Sequence, residues 1–303
     1  MKTFRAFSFA VLAAAPLLAA DHAVIEIWPE GVPGLRADAT PQKLETGRVS
    51  NVHKPTITVF PAPAASANGT AVIICPGGGY MRLSVENEGS LMAERFNQMG
   101  MTAFVLYYRM VEYGHPAPLR DVLRAIRLVR SRAAEFNVKP DRIGVIGSSA
   151  GGHLAASAST LFDTADGRTG AALDKVSGRP DFAILLYPVI TLKAPLAHAG
   201  SRTALLGKDA TPEIIASMSL ETRVTKETPP TFIVTTEDDR TVPVENSLMY
   251  YQALRTAAVP AELHVWPHGP HGFGMRLDLG GPSTWTLRCE EWMKANGWLM
   301  PAK

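Results

Sequence analysis

Cysteine is nearly absent: the 303 residues hold two, Cys75 and Cys289. That excludes a disulfide framework, and a chain of this length with 46% hydrophobic residues has core enough to stand without one. Two buried free thiols are expected, because Cys75 ends an apolar run; one disulfide is the alternative. An excess of charge of one sign is also missing. Thirty basic residues face 28 acidic ones, 30 against 28, and the balance becomes even if Lys2 and Arg5 are lost with a leader. Nucleic acid and anionic membrane surfaces are therefore poor partners. No fixed-period repeat appears.

What is present begins with "MKTFRAFSFAVLAAAPLLAA", where Lys2 and Arg5 precede an apolar run and small residues lead to Asp21. This is the layout of a secretory signal peptide, and its apolar part is shorter than the ~20 residues of a spanning helix. Cleavage near Ala20 is expected. The mature protein is then secreted or periplasmic, with no membrane contact and, lacking a cysteine at the cleavage site, no lipid anchor. Residues 1–20 form the leader and 21–303 one domain.

The runs "AVIEIW" and "TITVF" predict strands separated by a Pro/Gly-rich loop. From Ala71 onward, "AVIIC", "TAFVLYY", "RIGVIG", "FAILLYP" and "TFIVTT" are short and almost continuously apolar, as strands buried on both faces of a parallel sheet are. Helical patterns lie between them. "EGSLMAERFNQMG" ends in the C-terminal stop Gly100, and "PLRDVLRAIRLVRSRAAEF" carries an apolar face whose opposing arginines are expected to be solvated. A further helix in "SLMYYQALRTAAVP", a last strand in "AELHVWP" and a closing helix in "TWTLRCEEWMKANGW" complete the alternation. The fold class is α/β, a doubly wound, mostly parallel sheet flanked by helices. Residues 191–230 interrupt the rhythm. So long an insertion in a compact domain is usually functional or disordered, and it is expected to form a small cap over the site, with residues 205–218 shaping a pocket.

The chemistry starts at "IGVIGSSAGGHLAASAS", in which Gly147, Ser149 and Gly151 have the spacing G-x-S-x-G. Between a predicted strand and a predicted helix this spacing is a sharp elbow that exposes a nucleophilic serine. A serine hydroxyl needs a base within hydrogen-bond reach, itself oriented by a carboxylate. Loops after the last two predicted strands supply both: Glu237, Asp238 or Asp239 as acid, and His268 or His271 as base. Asp239 is preferred as the last acid before the next helix, with Asp238 the runner-up. His271, between Pro270 and Gly272, is preferred over His268. His153 and His264 are assigned to structure.

Gly77, Gly78 and Gly79 follow the strand "AVIIC", where backbone N–H groups without obstructing side chains can meet a developing oxyanion. A phosphate loop is excluded by the lack of a Lys-Ser/Thr ending, and "GGGYMR" does not match a dinucleotide fingerprint. Substitution of Gly78 is expected to lower kcat more than stability. Tyr80 either shapes the pocket or packs over the glycine turn.

With these motifs in order, residues 71–298 resemble the α/β-hydrolase superfamily, in its branch related to hormone-sensitive lipases and to bacterial acetylxylan and feruloyl esterases. "PGGGY", "ENEG" and "FVLYYRM" look like the carbohydrate-esterase members in particular. The resemblance implies Ser149 as nucleophile, Asp239 as acid and His271 as base, with an oxyanion hole from the N–H groups of Gly78, Gly79 and Ala150. It implies two-step acyl transfer without metal or organic cofactor, on a small ester or an acylated carbohydrate such as acetylated plant polysaccharide. Pro76 stands where many lipase-like relatives have His before the glycines, which argues against a lipid substrate. A peptidase of the same fold and a non-catalytic carbohydrate-binding relative are the alternatives.

Overall fold

The nearly unbroken apolar runs become strands whose two faces are both covered. A computed structural model describes residues 22–300, so the expected leader lies outside the described residues. The chain enters through β1 (Val24–Glu26) and a short hairpin of β2 (Lys43–Glu45) and β3 (Arg48–Ser50), then β4 (Thr56–Phe60) and β5 (Ala71–Cys75). After β6 (Leu83–Ser84) a π-helical turn, Glu86–Ser90, runs into α1 (Leu91–Gln98), followed by β7 (Thr102–Tyr107), α2 (Ala117–Ser131), β8 (Ile143–Ser148), α3 (Ala150–Thr160) and β9 (Ala183–Leu186). The last third comprises α4 (Ala199–Leu206), α5 (Pro212–Ser217), β10 (Thr231–Thr236), α6 (Glu245–Thr256), β11 (Ala261–Trp266) and α7 (Trp285–Ala295).

Eight strands form one sheet in the order β1-β4-β7-β5-β8-β9-β10-β11. β1/β4 and β4/β7 pair antiparallel, and the pairs from β7 to β11 are parallel. Because side chains alternate across a strand, β5 sends Ile73 and Cys75 into a core with α2, α3 and α6, while Val72 and Ile74 enter a second core with α1 and α7. The doubly wound arrangement expected from the sequence is thus present. A small separate sheet, β2-β3-β6, was not legible in the sequence. Cys75 and Cys289 are both buried and free, one in each core.

The arginines of α2 correct an expectation. Arg124 and Arg127 are buried. Arg124 bonds the carbonyl of Ile27, pairs with Glu30 and lies over the Trp28 ring, while Arg127 bonds the carbonyl of Gly167 and pairs with Asp174. The middle of the polar face of α2 is covered by the N-terminal segment and the loop after α3, so the Arg124 and Arg127 guanidinium groups clamp those segments down, while the Arg132 side chain stays partly exposed, as expected.

Candidate active site

Ser149 occupies the turn between β8 and α3 with a φ of 56°, a conformation L residues rarely adopt. The flanking glycines make room for it: a β-carbon at Gly147 would lie 2.0 Å from the carbonyl oxygen of Gly151, and one at Gly151 would lie 2.1 Å from that of Cys75. The elbow can form only because those two positions have no side chain.

The loops after β10 and β11, at the carboxyl ends of adjacent parallel strands, bring the acid and base to it. His271 Nδ1 lies 2.6 Å from Asp239 Oδ2 and His271 Nε2 lies 2.8 Å from Ser149 Oγ. With Nδ1–H donating to the carboxylate, Nε2 is left as an acceptor facing the serine hydroxyl. The Asp239 side chain is fully buried, and its Oδ1 accepts from the N–H groups of Thr241 and Val242 at 2.8 and 3.0 Å. Those donors fix the carboxylate so that Oδ2 faces the imidazole. The alternatives pair with each other: Asp238 meets His268 Nδ1 at 3.1 Å and accepts from Gly269 N–H, while the His268 side chain is 89% exposed. Glu237 is exposed.

Among the described residues the N–H groups of Gly78, Gly79 and Ala150 donate to no protein acceptor, which leaves them available to an oxyanion. Gly78 and Gly79 differ in what they tolerate. Gly78 has a φ of 133° and a β-carbon there would lie 2.1 Å from the Arg82 carbonyl oxygen, whereas Gly79 (φ 69°) has only His198 Cε1 at 4.0 Å. The expectation for Gly78 therefore gains a stability cost that its sequence did not reveal. Gly78→Ala should destabilise the fold by about 2 kcal/mol or more, lowering Tm by roughly 5 °C, because a backbone oxygen cannot step aside. Gly79→Ala should cost less stability. Thermal denaturation of the two variants side by side checks this, and equal midpoints would contradict it.

Of the two readings of Tyr80, substrate-binding and packing, burial favours packing. It is only 1% exposed, and its hydroxyl lies 2.9 Å from His153 Nδ1, so it packs beneath the glycine loop. His153 is structural, as expected: Nε2–H donates to the Met218 carbonyl at 2.9 Å, leaving Nδ1 to accept from Tyr80. Burial lowers its pKa from 6.5 to about 4. In that interval the unfolded chain takes up a proton that the folded one refuses, so stability falls as pH drops from about 6.5 toward 4. A His153→Gln variant should show a shallower fall of Tm across this window; parallel slopes would rule His153 out as the cause.

The 191–230 segment carries α4 and α5. Leu205 and Met218 are buried in the main core, and Leu205 also lines a cavity together with Leu206, Gly207, Ile214 and residues 111–115. The residue of this segment that reaches the site is His198, which sequence reasoning missed. Its Nδ1 accepts from Ser201 N–H and lies 2.8 Å from Ser201 Oγ, and its ring stands over Gly79. Burial, and then the proximity of His271, lower its pKa, which favours a neutral ring with Nε2–H as donor. No three metal-binding side chains converge among the described residues.

Comparison with known proteins places this geometry in context. The model of the BD-FAE family matches residues 58–254. Endo-1,4-beta-xylanase B of Butyrivibrio fibrisolvens is 39% identical over 230 residues, covering 74% of this chain and 36% of that protein. The acetylxylan esterase of Xylanibacter ruminicola is 36% identical over 211 residues, 68% of this chain and 42% of that protein. The chain thus spans well under half the length of either relative. The crystal structure of an acetyl ester-xyloside bifunctional hydrolase from Caldicellulosiruptor lactoaceticus superimposes with a TM-score of 0.81 at 40% identity, covering 91% of this chain and 97% of that one. An esterase of Thermogutta terrifontis, with propionate bound, superimposes with a TM-score of 0.70 at 26% identity, covering 89% and 98% of the two chains.

Proposed function

This chain belongs to the BD-FAE family and has the α/β-hydrolase fold, and on that footing we propose that it is an exported serine carboxylic-ester hydrolase that removes acetyl or other small acyl groups from plant polysaccharide or its oligosaccharides. The observation that carries the reading is the continuous contact from Asp239 through His271 to Ser149, at 2.6 and 2.8 Å. Ser149 Oγ attacks the ester carbonyl while His271 Nε2 takes its proton. The negative charge that forms on the carbonyl oxygen is met by the N–H groups of Gly78, Gly79 and Ala150. Collapse expels the sugar hydroxyl, which receives the proton from His271, and water activated by the same imidazole then releases the acid and restores Ser149.

The substrate half rests on relatives named for acetylxylan and acetyl ester-xyloside hydrolysis, and export rests on the sequence of residues 1–20. Purified protein assayed with 4-nitrophenyl acetate, butyrate and octanoate, and with acetylated xylo-oligosaccharides, tests it. Acetate release from the sugar and a preference for the shortest acyl chain are expected. Preference for octanoate, or no acetate released from any acetylated sugar, would remove the carbohydrate reading.

A further inference from the structure

The "ENEG" run, residues 86–89, is not used by the acyl-transfer chemistry, yet two of its side chains touch both loops that perform it. Glu88 is 5% exposed, and its two carboxylate oxygens serve two different parts of the site. Oε2 accepts from the Gly77 N–H at 2.8 Å, at the root of the oxyanion loop, and Oε1 accepts from the Tyr187 hydroxyl at 2.7 Å. Tyr187 in turn accepts from the Gly274 N–H at 3.0 Å, and its ring packs edge-on against His271 with centroids 4.9 Å apart. Beside it, Asn87 holds the same histidine loop twice: Nδ2 donates to the Gly272 carbonyl at 3.2 Å and Oδ1 accepts from the Met275 N–H at 3.0 Å.

Burying a carboxylate is costly unless its lone pairs are met by donors. Burial raises the pKa of Glu88, and the hydrogen bonds from Tyr187 and Gly77 and the nearby His271 oppose that rise. One donor, the Gly77 N–H, lies on the oxyanion loop, and the other, the Tyr187 hydroxyl, is itself bonded to the His271 loop at Gly274. The π-helical turn at Glu86–Ser90 widens the backbone where these two adjacent residues must serve different partners, and such turns occur often at functional sites.

We propose that Glu88 and Asn87 are positioning residues that hold the oxyanion loop and the His271 loop in mutual register, so that proton transfer and oxyanion binding are aligned in the same transition state. Their hydrogen bonds go to the loops and to Tyr187, not to Ser149 or the His271 ring nitrogens. Their loss therefore acts on kcat, since misplacement of catalytic groups by about 1 Å costs on the order of 100-fold, while ground-state binding is left alone.

The inference rests on the reading of Ser149 as nucleophile, and the experiment separates the two. Glu88→Ala, Glu88→Gln and Asn87→Ala are compared with the parent and with Ser149→Ala on 4-nitrophenyl acetate, with rates expressed per folded molecule and Tm recorded. Glu88→Ala should lower kcat about 100-fold with KM within about threefold, and Asn87→Ala should lower kcat by a smaller factor in the same way. Glu88→Gln should recover most of the loss, since a glutamine can accept from Gly77 with its carbonyl and donate to Tyr187 with its amide. An unchanged kcat in Asn87→Ala together with a Glu88→Ala variant that only loses Tm would overturn the proposal, and so would a Glu88→Gln variant as slow as Glu88→Ala. If Glu88→Ala does not fold, the Asn87→Ala and Glu88→Gln rates decide alone. Parental activity in Ser149→Ala would instead remove the reading on which the proposal stands.

Discussion

Replacing Ser149 by alanine should lower kcat/KM for 4-nitrophenyl acetate by about 10⁵- to 10⁶-fold, the scale on which loss of a triad nucleophile acts. The substitution removes one oxygen, which lies 2.8 Å from His271 Nε2. The unusual backbone of the elbow is inherited unchanged by alanine, because the strain lies in φ and in the flanking glycines, not in the hydroxyl. Tm should accordingly stay close to that of the parent. A variant that loses activity and Tm together would mean that the elbow had collapsed, and its rate would say nothing about nucleophilicity.

Asp239→Asn should cost about 10⁴-fold in kcat, because an amide at this position no longer imposes the tautomer in which Nε2 is free to accept the serine proton. The asparagine oxygen can still accept from Thr241 and Val242, as Asp239 Oδ1 does, so its –NH2 group would face His271 Nδ1 and turn the donor–acceptor sense of that contact around. Asp238→Asn is the matching control. Asp238 is an exposed neighbour that serves His268 and the Gly269 N–H, and its loss should leave activity within about threefold. Comparable losses in the two variants would mean that the acid is not assigned by geometry.

The two carboxylates show what could be read from the sequence and what could not. Order and loop position restricted the acid to residues 237–239 and the base to His268 or His271, because catalytic groups gather at the carboxyl ends of parallel strands. Adjacent residues in a turn face different directions, and no sequence pattern states which acid reaches the histidine that faces the serine. The strands were legible because both their faces are buried, which leaves unbroken apolar runs. The small β2-β3-β6 sheet has strands of two or three residues, too short for a period to register.

Other misses share a cause: the partner lies far away in the chain. Arg124 looked solvated because Ile27 and Glu30 sit almost a hundred positions earlier. Glu88 and Asn87 have partners up to 188 residues distant, so "ENEG" appeared as a family likeness without a task. His198 lay in a polar insertion with nothing nearby to connect it to Gly79. The glycine run was legible in kind but not in detail, since the space around Gly78 and Gly79 is set by Arg82 and by His198.

The most direct test of the site is covalent labelling with a fluorophosphonate, followed by tandem mass spectrometry that resolves Ser148 from Ser149. The expected result is stoichiometric loss of activity with the adduct on Ser149, and no adduct in Ser149→Ala. An adduct on Ser148 or another residue, or full labelling of Ser149 with activity retained, would contradict the assignment of Ser149 as the nucleophile.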